Sequence, residues 1–191
     1  ADWNSAKQKA AAGQLDAALA DCTKVILGNA GLGYDTMAGD LAIQILLRQK
    51  KNDEAAKLAE RVIRSNAAAL SSSPAFQAAY WRTLLATGKT AQLAEMLDKA
   101  IQGGSREDAA RAQIVRGDLR LAENKNKEAV LDYLRTAILF EAQKDVQPEA
   151  LFKAASTFEL LRDSARAKAF YDKVKTEYPD SSYGQQAKSK S

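Results

Sequence analysis

The sequence predicts an all-α fold built from about five antiparallel helix pairs. Three observations carry this reading. Five short turns, at Gly13, Lys51-Asn52, Gly88, Asn124-Lys125 and Arg162-Asp163, recur at intervals of roughly 36 to 39 residues, each between two stretches of helical pattern. The three prolines, Pro74, Pro148 and Pro179, all fall at predicted helix boundaries. The chain is 46% hydrophobic but only 7% aromatic, so alanine does much of the filling, which suits closely packed helices and carries high helix propensity.

The first pair reads as 2–12 and 15–28, where Leu15, Ala18, Cys22, Val25 and Ile26 keep the helical spacing of three and four. Residues 29–33 break that pattern, and Asp35 or Thr36 is the expected cap of the next helix. The second pair covers 36–50 and 53–66, with Asn52 as a cap and Asp53 and Glu54 in the first turn behind it. Ser71-Ser72-Ser73-Pro74 reads as a helix start, serine capping and proline in the first turn. The third pair then spans 74–87 and 90–102, and Ser105 with Asp108 forms the signature of a capping box. The fourth pair covers 106–123 and 126–143. The fifth covers 148–161 and 164–178, opened by Pro148 and stopped by Pro179. In unit boundaries this is 1–28, 35–66, 74–103, 105–143 and 147–179, one repeat domain over 1–179. A polar tail follows at 180–191, in which a helix continues briefly through Tyr183 and Ala187.

Several functional classes are disfavoured. The net charge of +4 is evenly spread, 11 basic and 9 acidic side chains over 1–95 and 17 and 15 over 96–191, which is not the basic face of a nucleic-acid binder. Without histidine and with Cys22 alone, no zinc site or internal disulfide is expected, and Cys22 reads as a buried thiol. No apolar run reaches membrane-spanning length. Gly88-Lys89-Thr90 ends like a phosphate loop, but Thr83 stands where that motif needs glycine, so it is a repeat turn. Arg116-Gly117-Asp118 is an adhesion-like tripeptide placed mid-helix, where Gly117 reads as a close-packing residue. The carboxylate pairs Asp53/Glu54 and Glu107/Asp108 sit in first turns, where they complement the helix dipole. No nucleophile–base set emerges, so no enzyme activity, cofactor or metal is expected.

The helix pairs resemble tetratricopeptide repeats, in which an A helix, a tight turn and a B helix form the unit. The fifth pair carries the resemblance furthest. Phe158 takes the aromatic position of helix A, Ala167 the small crossing position, Tyr171 the B-helix aromatic and Pro179 the terminating proline, with Val174 a departure from the usual alanine. The fourth pair adds Gly117, Ala129 and Tyr133. The crossing position falls on Ala18 and Ala55 in the first two pairs and on Leu93 in the third. The small A-helix position falls on Ile43 and Trp81 in the second and third. The stretch 170–183 looks like repeats of bacterial envelope proteins of this class. The resemblance implies a right-handed α-solenoid that binds a protein or peptide partner along a concave surface lined by A helices, with self-assembly into a scaffold or homo-oligomer as the alternative. In this register Trp3, Lys7, Asp40, Gln44, Arg82, Asp118 and Phe152 project towards that groove, and Trp3 and Arg82 are the expected anchors. The first residue, Ala1, together with the resemblance, leads to an expectation of an exported protein, periplasmic or in the cell envelope, with the cytoplasm as the other location.

Overall fold

The computed structural model describes residues 3–28 and 33–190. Among these there are twelve helices: α1 (Trp3–Ala11), α2 (Leu15–Gly28), α3 (Tyr34–Arg48), α4 (Asn52–Ser65), α5 (Ala69–Ser72), α6 (Pro74–Ala86), α7 (Thr90–Gly103), α8 (Arg106–Ala122), α9 (Asn126–Leu139), α10 (Gln147–Leu160), α11 (Ser164–Glu177) and α12 (Ser182–Ala187). They fall into two compact units, Ala1–Leu93 and Ala94–Ser191. Helices α1 to α4 pack successively in the first unit and α8 to α12 in the second, and in the first unit α3 also packs on α6, so A helices of neighbouring pairs touch.

Every A-to-B turn is the same device. The second residue after the A helix turns left-handed, at Gly13 (φ 75°), Lys50 (59°), Gly88 (75°), Asn124 (61°) and Arg162 (59°). The next amide then donates back to the last helical turn: Gln14 N to Lys9 O at 2.9 Å, Lys51 N to Leu46 O at 2.9 Å, Lys89 N to Leu84 O at 2.9 Å, Lys125 N to Arg120 O at 2.8 Å and Asp163 N to Phe158 O at 2.9 Å. This Schellman arrangement satisfies carbonyls that a helix end leaves orphaned. The periodicity of the sequence is therefore the periodicity of five left-handed residues, only two of which are glycine.

The caps divide into those the sequence states correctly and those it does not. Ser73 Oγ accepts from Phe76 N at the start of α6, and Ser105 with Asp108 closes a capping box on α8. Neither Asp35 nor Thr36 caps α3. Its N-cap is Gly33 (φ 82°), which places both inside the first turn, buried. There Asn66 Nδ2 donates to Asp35 Oδ2 at 3.1 Å, so the acid ties α3 to the end of α4. Asn52 does not cap α4 either: Lys51 holds that position, and Asn52 Nδ2 reaches across to the carbonyl of Ala86 at the end of α6. Helix α9 stops at Leu139, short of the predicted 143. The Gln147 side chain donates to the carbonyls of Thr136 (3.2 Å) and Phe140 (2.9 Å), satisfying acceptors of its last turn.

The two units have separate cores. In the first, Ala6, Cys22, Val25, Ile43, Ala59, Val62 and Phe76 are buried together. In the second, Ile114, Ala129, Tyr133, Leu151, Ala155, Phe158 and Tyr171 are. Cys22 is fully buried, and that burial, reinforced by Asp21, pushes its thiol up to about 11. A size exchange runs through the core. In three pairs, residues sixteen apart on the A and B helices combine a small with a large side chain, large first in Ile43 with Ala59 and small first in Gly117 with Tyr133 and Ala155 with Tyr171, all buried; the third pair sets two large residues, Trp81 and Leu97, at these positions. A Cβ at Gly117 would lie 2.8 Å from Tyr133 Cζ, so glycine there is what admits the ring. This accounts for Ile43 as a departure from the small-A pattern: its own pair supplies Ala59 as the small partner.

Candidate functional site

In the first unit α1 and α3 form the walls of a cleft of about 340 Å³, lined by Trp3, Lys7, Ala10, Met37, Asp40, Leu41 and Gln44, with Ser73 and Ala75 at the start of α6. The spacing explains the convergence. Residues 3, 7 and 10 share one face of α1, and 37, 40, 41 and 44 share one face of α3. The Lys7 ammonium sits 5.5 Å over the Trp3 ring, and Gln44 Nε2 donates to Asp40 Oδ1 at 2.8 Å. Trp3, Met37 and Leu41 supply apolar surface, and Lys7, Asp40 and Gln44 supply both signs of charge and amide donors.

Besides the packing of Ala6 in the core, one acid on α2 ties down the polar side of α1. Asp21 on α2 accepts from Ser5 Oγ at 2.7 Å and pairs with Lys9 and, at 3.6 Å, with Lys24. The bonds from Lys9 and then Ser5 hold its carboxyl down at about 2. That places the opposite face of α1, with Trp3 and Lys7, over α3.

Four of the seven groove positions expected from the sequence, Trp3, Lys7, Asp40 and Gln44, therefore share one cleft. Arg82 lies half-buried on α6, two helical turns beyond Ala75 and on the same face. The other two belong to the second unit. Asp118 accepts from the Tyr133 hydroxyl at 2.7 Å and from Lys153 at 2.7 and 2.8 Å, and Lys153 also pairs with Glu149 at 2.7 Å. Burial, and then the Asp118 charge, push the Tyr133 phenol far above its ordinary value, so it stays a neutral donor. Phe152 packs against Tyr171 and, through α12, Tyr183, with ring centroids 5.3 and 5.4 Å away. The Arg116-Gly117-Asp118 tripeptide lies inside α8 with both charged side chains in ion pairs. The sequence reading missed Met37, Leu41 and Ser73, although the three-and-four spacing around Asp40 and Gln44 contains the first two. Among the described residues no three carboxylates or thiols converge as metal ligands, and no helix is long and apolar enough to cross a membrane.

Comparison with known proteins identifies one of these helix pairs. Residues 149–181, which are α10, α11 and the start of the following turn, match the Tetratricopeptide repeat family. Among solved structures, the chain is similar to the crystal structure of YrrB, described as a TPR protein with an unusual peptide-binding site. The identity is 17%, over 96% of this chain and 88% of that one, with a TM-score of 0.48. No curated protein matches the chain. The chain is an all-α protein of successive helix pairs, of which α10 with α11 matches a tetratricopeptide repeat. Such arrays present extended surfaces for protein–protein interaction.

Proposed function

We propose that the protein is a non-enzymatic interaction module whose first unit binds a segment of a protein partner in the cleft between α1 and α3. The observation that carries this reading is the chemistry of that cleft. Apolar anchors (Trp3, Met37, Leu41) stand beside a cation, a carboxylate and an amide (Lys7, Asp40, Gln44) within one concavity of about 340 Å³. An apolar side chain of the partner would enter between Trp3 and Met37, and its backbone would meet Asp40 and Gln44. Arg82 extends the same surface along α6. An exported, envelope location belongs to the same proposal, and a single buried cysteine is compatible with it.

Crosslinking pull-down from native extract, comparing wild type with Trp3→Ala and Met37→Glu, tests the reading. Loss of one specific protein from both variants, with helical melts unchanged, supports it; equal recovery by all three overturns it.

Self-assembly into a scaffold is favoured by a different observation. Helix α9 exposes Leu131 (49%), Ile138 (70%) and Leu139 (59%), beside a groove formed with Phe158 and Leu161. Concentration-dependent mass in solution that disappears in Ile138→Glu would transfer the main role to this face.

A further inference from the structure

Asp132 on α9 is fully buried (0% exposed), and three guanidinium groups converge on its carboxylate: Arg116 Nη2 at 3.1 Å, Arg120 Nη1 at 2.7 Å and Arg135 Nη1 at 2.9 Å. Gln113 Nε2 donates to the same group. One buried acid needs one cation. The helix pair itself does not require this arrangement, because 38 residues further on the corresponding positions are Leu151, Ala154, Phe158, Phe170 and Lys173. There the stack of Phe158 on Phe170, centroids 5.6 Å apart, does the packing.

The charges do not close on themselves. Asp98, itself exposed, occupies one edge of Arg116 at 3.4 Å, and Arg120 Nη1 also donates to the Glu128 carbonyl. Three guanidiniums against Asp132 and Asp98 leave one positive charge in excess. Among the described residues, Nη2 of Arg120 and Nη2 of Arg135 make no hydrogen bond. These two side chains are 27% and 47% exposed. Asp132 thus fixes one nitrogen of Arg120 and of Arg135 and leaves their second terminal nitrogen available, while Arg116 is held between Asp132 and Asp98. Such a guanidinium presents the planar donors that match a carboxylate or phosphate.

We propose that Arg116, Arg120 and Arg135, organised by Asp132, form an oxyanion site that takes the carboxylate or phosphate of an acidic segment in a protein partner. The site belongs to the second unit, whereas the α1–α3 cleft belongs to the first.

Titration calorimetry on the full chain tests it, using a Glu-rich peptide, the same peptide with every Glu changed to Gln, a phosphoserine version, and inorganic phosphate alone. The expected result is binding of the Glu-rich or phosphoserine peptide that weakens with added salt, is absent for the Gln peptide, and falls about tenfold or more in Arg135→Gln. Arg135→Lys, which keeps the charge but loses the planar fork, should fall between. Arg135 is the most exposed of the three, so its variants keep the fold, checked by circular dichroism. Unchanged affinity in Arg135→Gln would overturn the proposal, as would failure of all four ligands to bind. Inorganic phosphate binding as tightly as either peptide would overturn the assignment to a protein partner and make the ligand free phosphate. Trp3→Ala should leave this binding intact, which separates the outcome from that of the α1–α3 cleft.

Discussion

Gly117→Ala tests the size exchange that organises the second unit. The new Cβ would lie 2.8 Å from Tyr133 Cζ and 2.9 Å from Cδ1, inside van der Waals contact. The ring has nowhere convenient to go. It is fully buried, and its hydroxyl donates to Asp118 at 2.7 Å, a carboxylate that Lys153 also holds. Overpacking of this kind costs about 1–3 kcal/mol, while replacing a mid-helix glycine by alanine returns about 1 kcal/mol of helix propensity. A Cβ under 3 Å from three ring atoms puts the cost in the upper part of that range, about 2–3 kcal/mol, so the net loss is about 1–2 kcal/mol. For a unit of this size that corresponds to a fall in melting temperature of roughly 5–15 °C. Urea and thermal unfolding give the global number, and hydrogen exchange should show the loss in α8 and α9 first. A double-mutant cycle with Tyr133→Leu sharpens the test. If the pair shares one space, Gly117→Ala should be far better tolerated when the ring is gone, with a coupling of about 1 kcal/mol or more. Gly117→Ala as stable as wild type, or a cycle additive within about 0.5 kcal/mol, would refute the exchange.

Three further expectations follow from other parts of the structure. Lys50 and Arg162 hold the left-handed turn position with side chains that disfavour it, so Lys50→Gly and Arg162→Gly should each stabilise by up to about 1 kcal/mol in urea unfolding, while Gly88→Ala should destabilise by a similar amount. Ala167→Leu, at a buried helix crossing, should destabilise the second unit by about 1–3 kcal/mol; an unchanged melt would count against that crossing. Asp21 has a carboxyl lowered from 3.8 to about 2 in the folded chain, so its contribution is present above pH 4 and is lost as pH falls through 4 towards 2. The melting temperature of wild type should therefore decline more steeply over that interval than that of Asp21→Asn. Parallel curves would show that Asp21 does not pin α1.

Much of the architecture was legible in the sequence because it is local. A five-fold turn repeat and three-and-four spacing fix helix positions to within a few residues, and Ser73 and Ser105 carry their capping partners close by in sequence. What could not be read depends on distant partners. Asn52 has the right chemistry for a cap, but an acceptor 34 residues away, the Ala86 carbonyl, claims its amide. Asp35 likewise answers to Asn66 rather than to its own helix end. The same holds for the candidate sites. Helical phase groups Trp3 with Lys7 and Asp40 with Gln44, and the resemblance to tetratricopeptide repeats implied that the two faces share a groove. Asp118 also has the phase of a groove residue, yet Tyr133 and Lys153, 15 and 35 residues away, engage it. The arginine cluster escaped notice because Arg116, Arg120 and Arg135 look like ordinary solvated charges until Asp132 is seen to be buried.

That cluster separates what stabilises a repeat from what equips it to bind. Ion networks at buried positions are seldom the most stable choice, since desolvation offsets much of the attraction, and well-packed apolar replacements are often neutral or stabilising by about 1–4 kcal/mol. The fifth pair supplies such a replacement ready-made: Leu151, Ala154, Phe158 and Phe170 for Gln113, Arg116, Arg120 and Asp132. Transplanting those four residues together should give a chain at least as stable as wild type in urea, with an unchanged helical spectrum, that no longer binds acidic peptides. Removing Asp132 alone, by Asp132→Ala, should do the opposite: three guanidiniums would repel one another at a half-buried site and the unit would lose stability. If the transplanted chain were instead markedly less stable, the network would be a structural requirement of the fourth pair, and its excess positive charge would need no ligand to explain it.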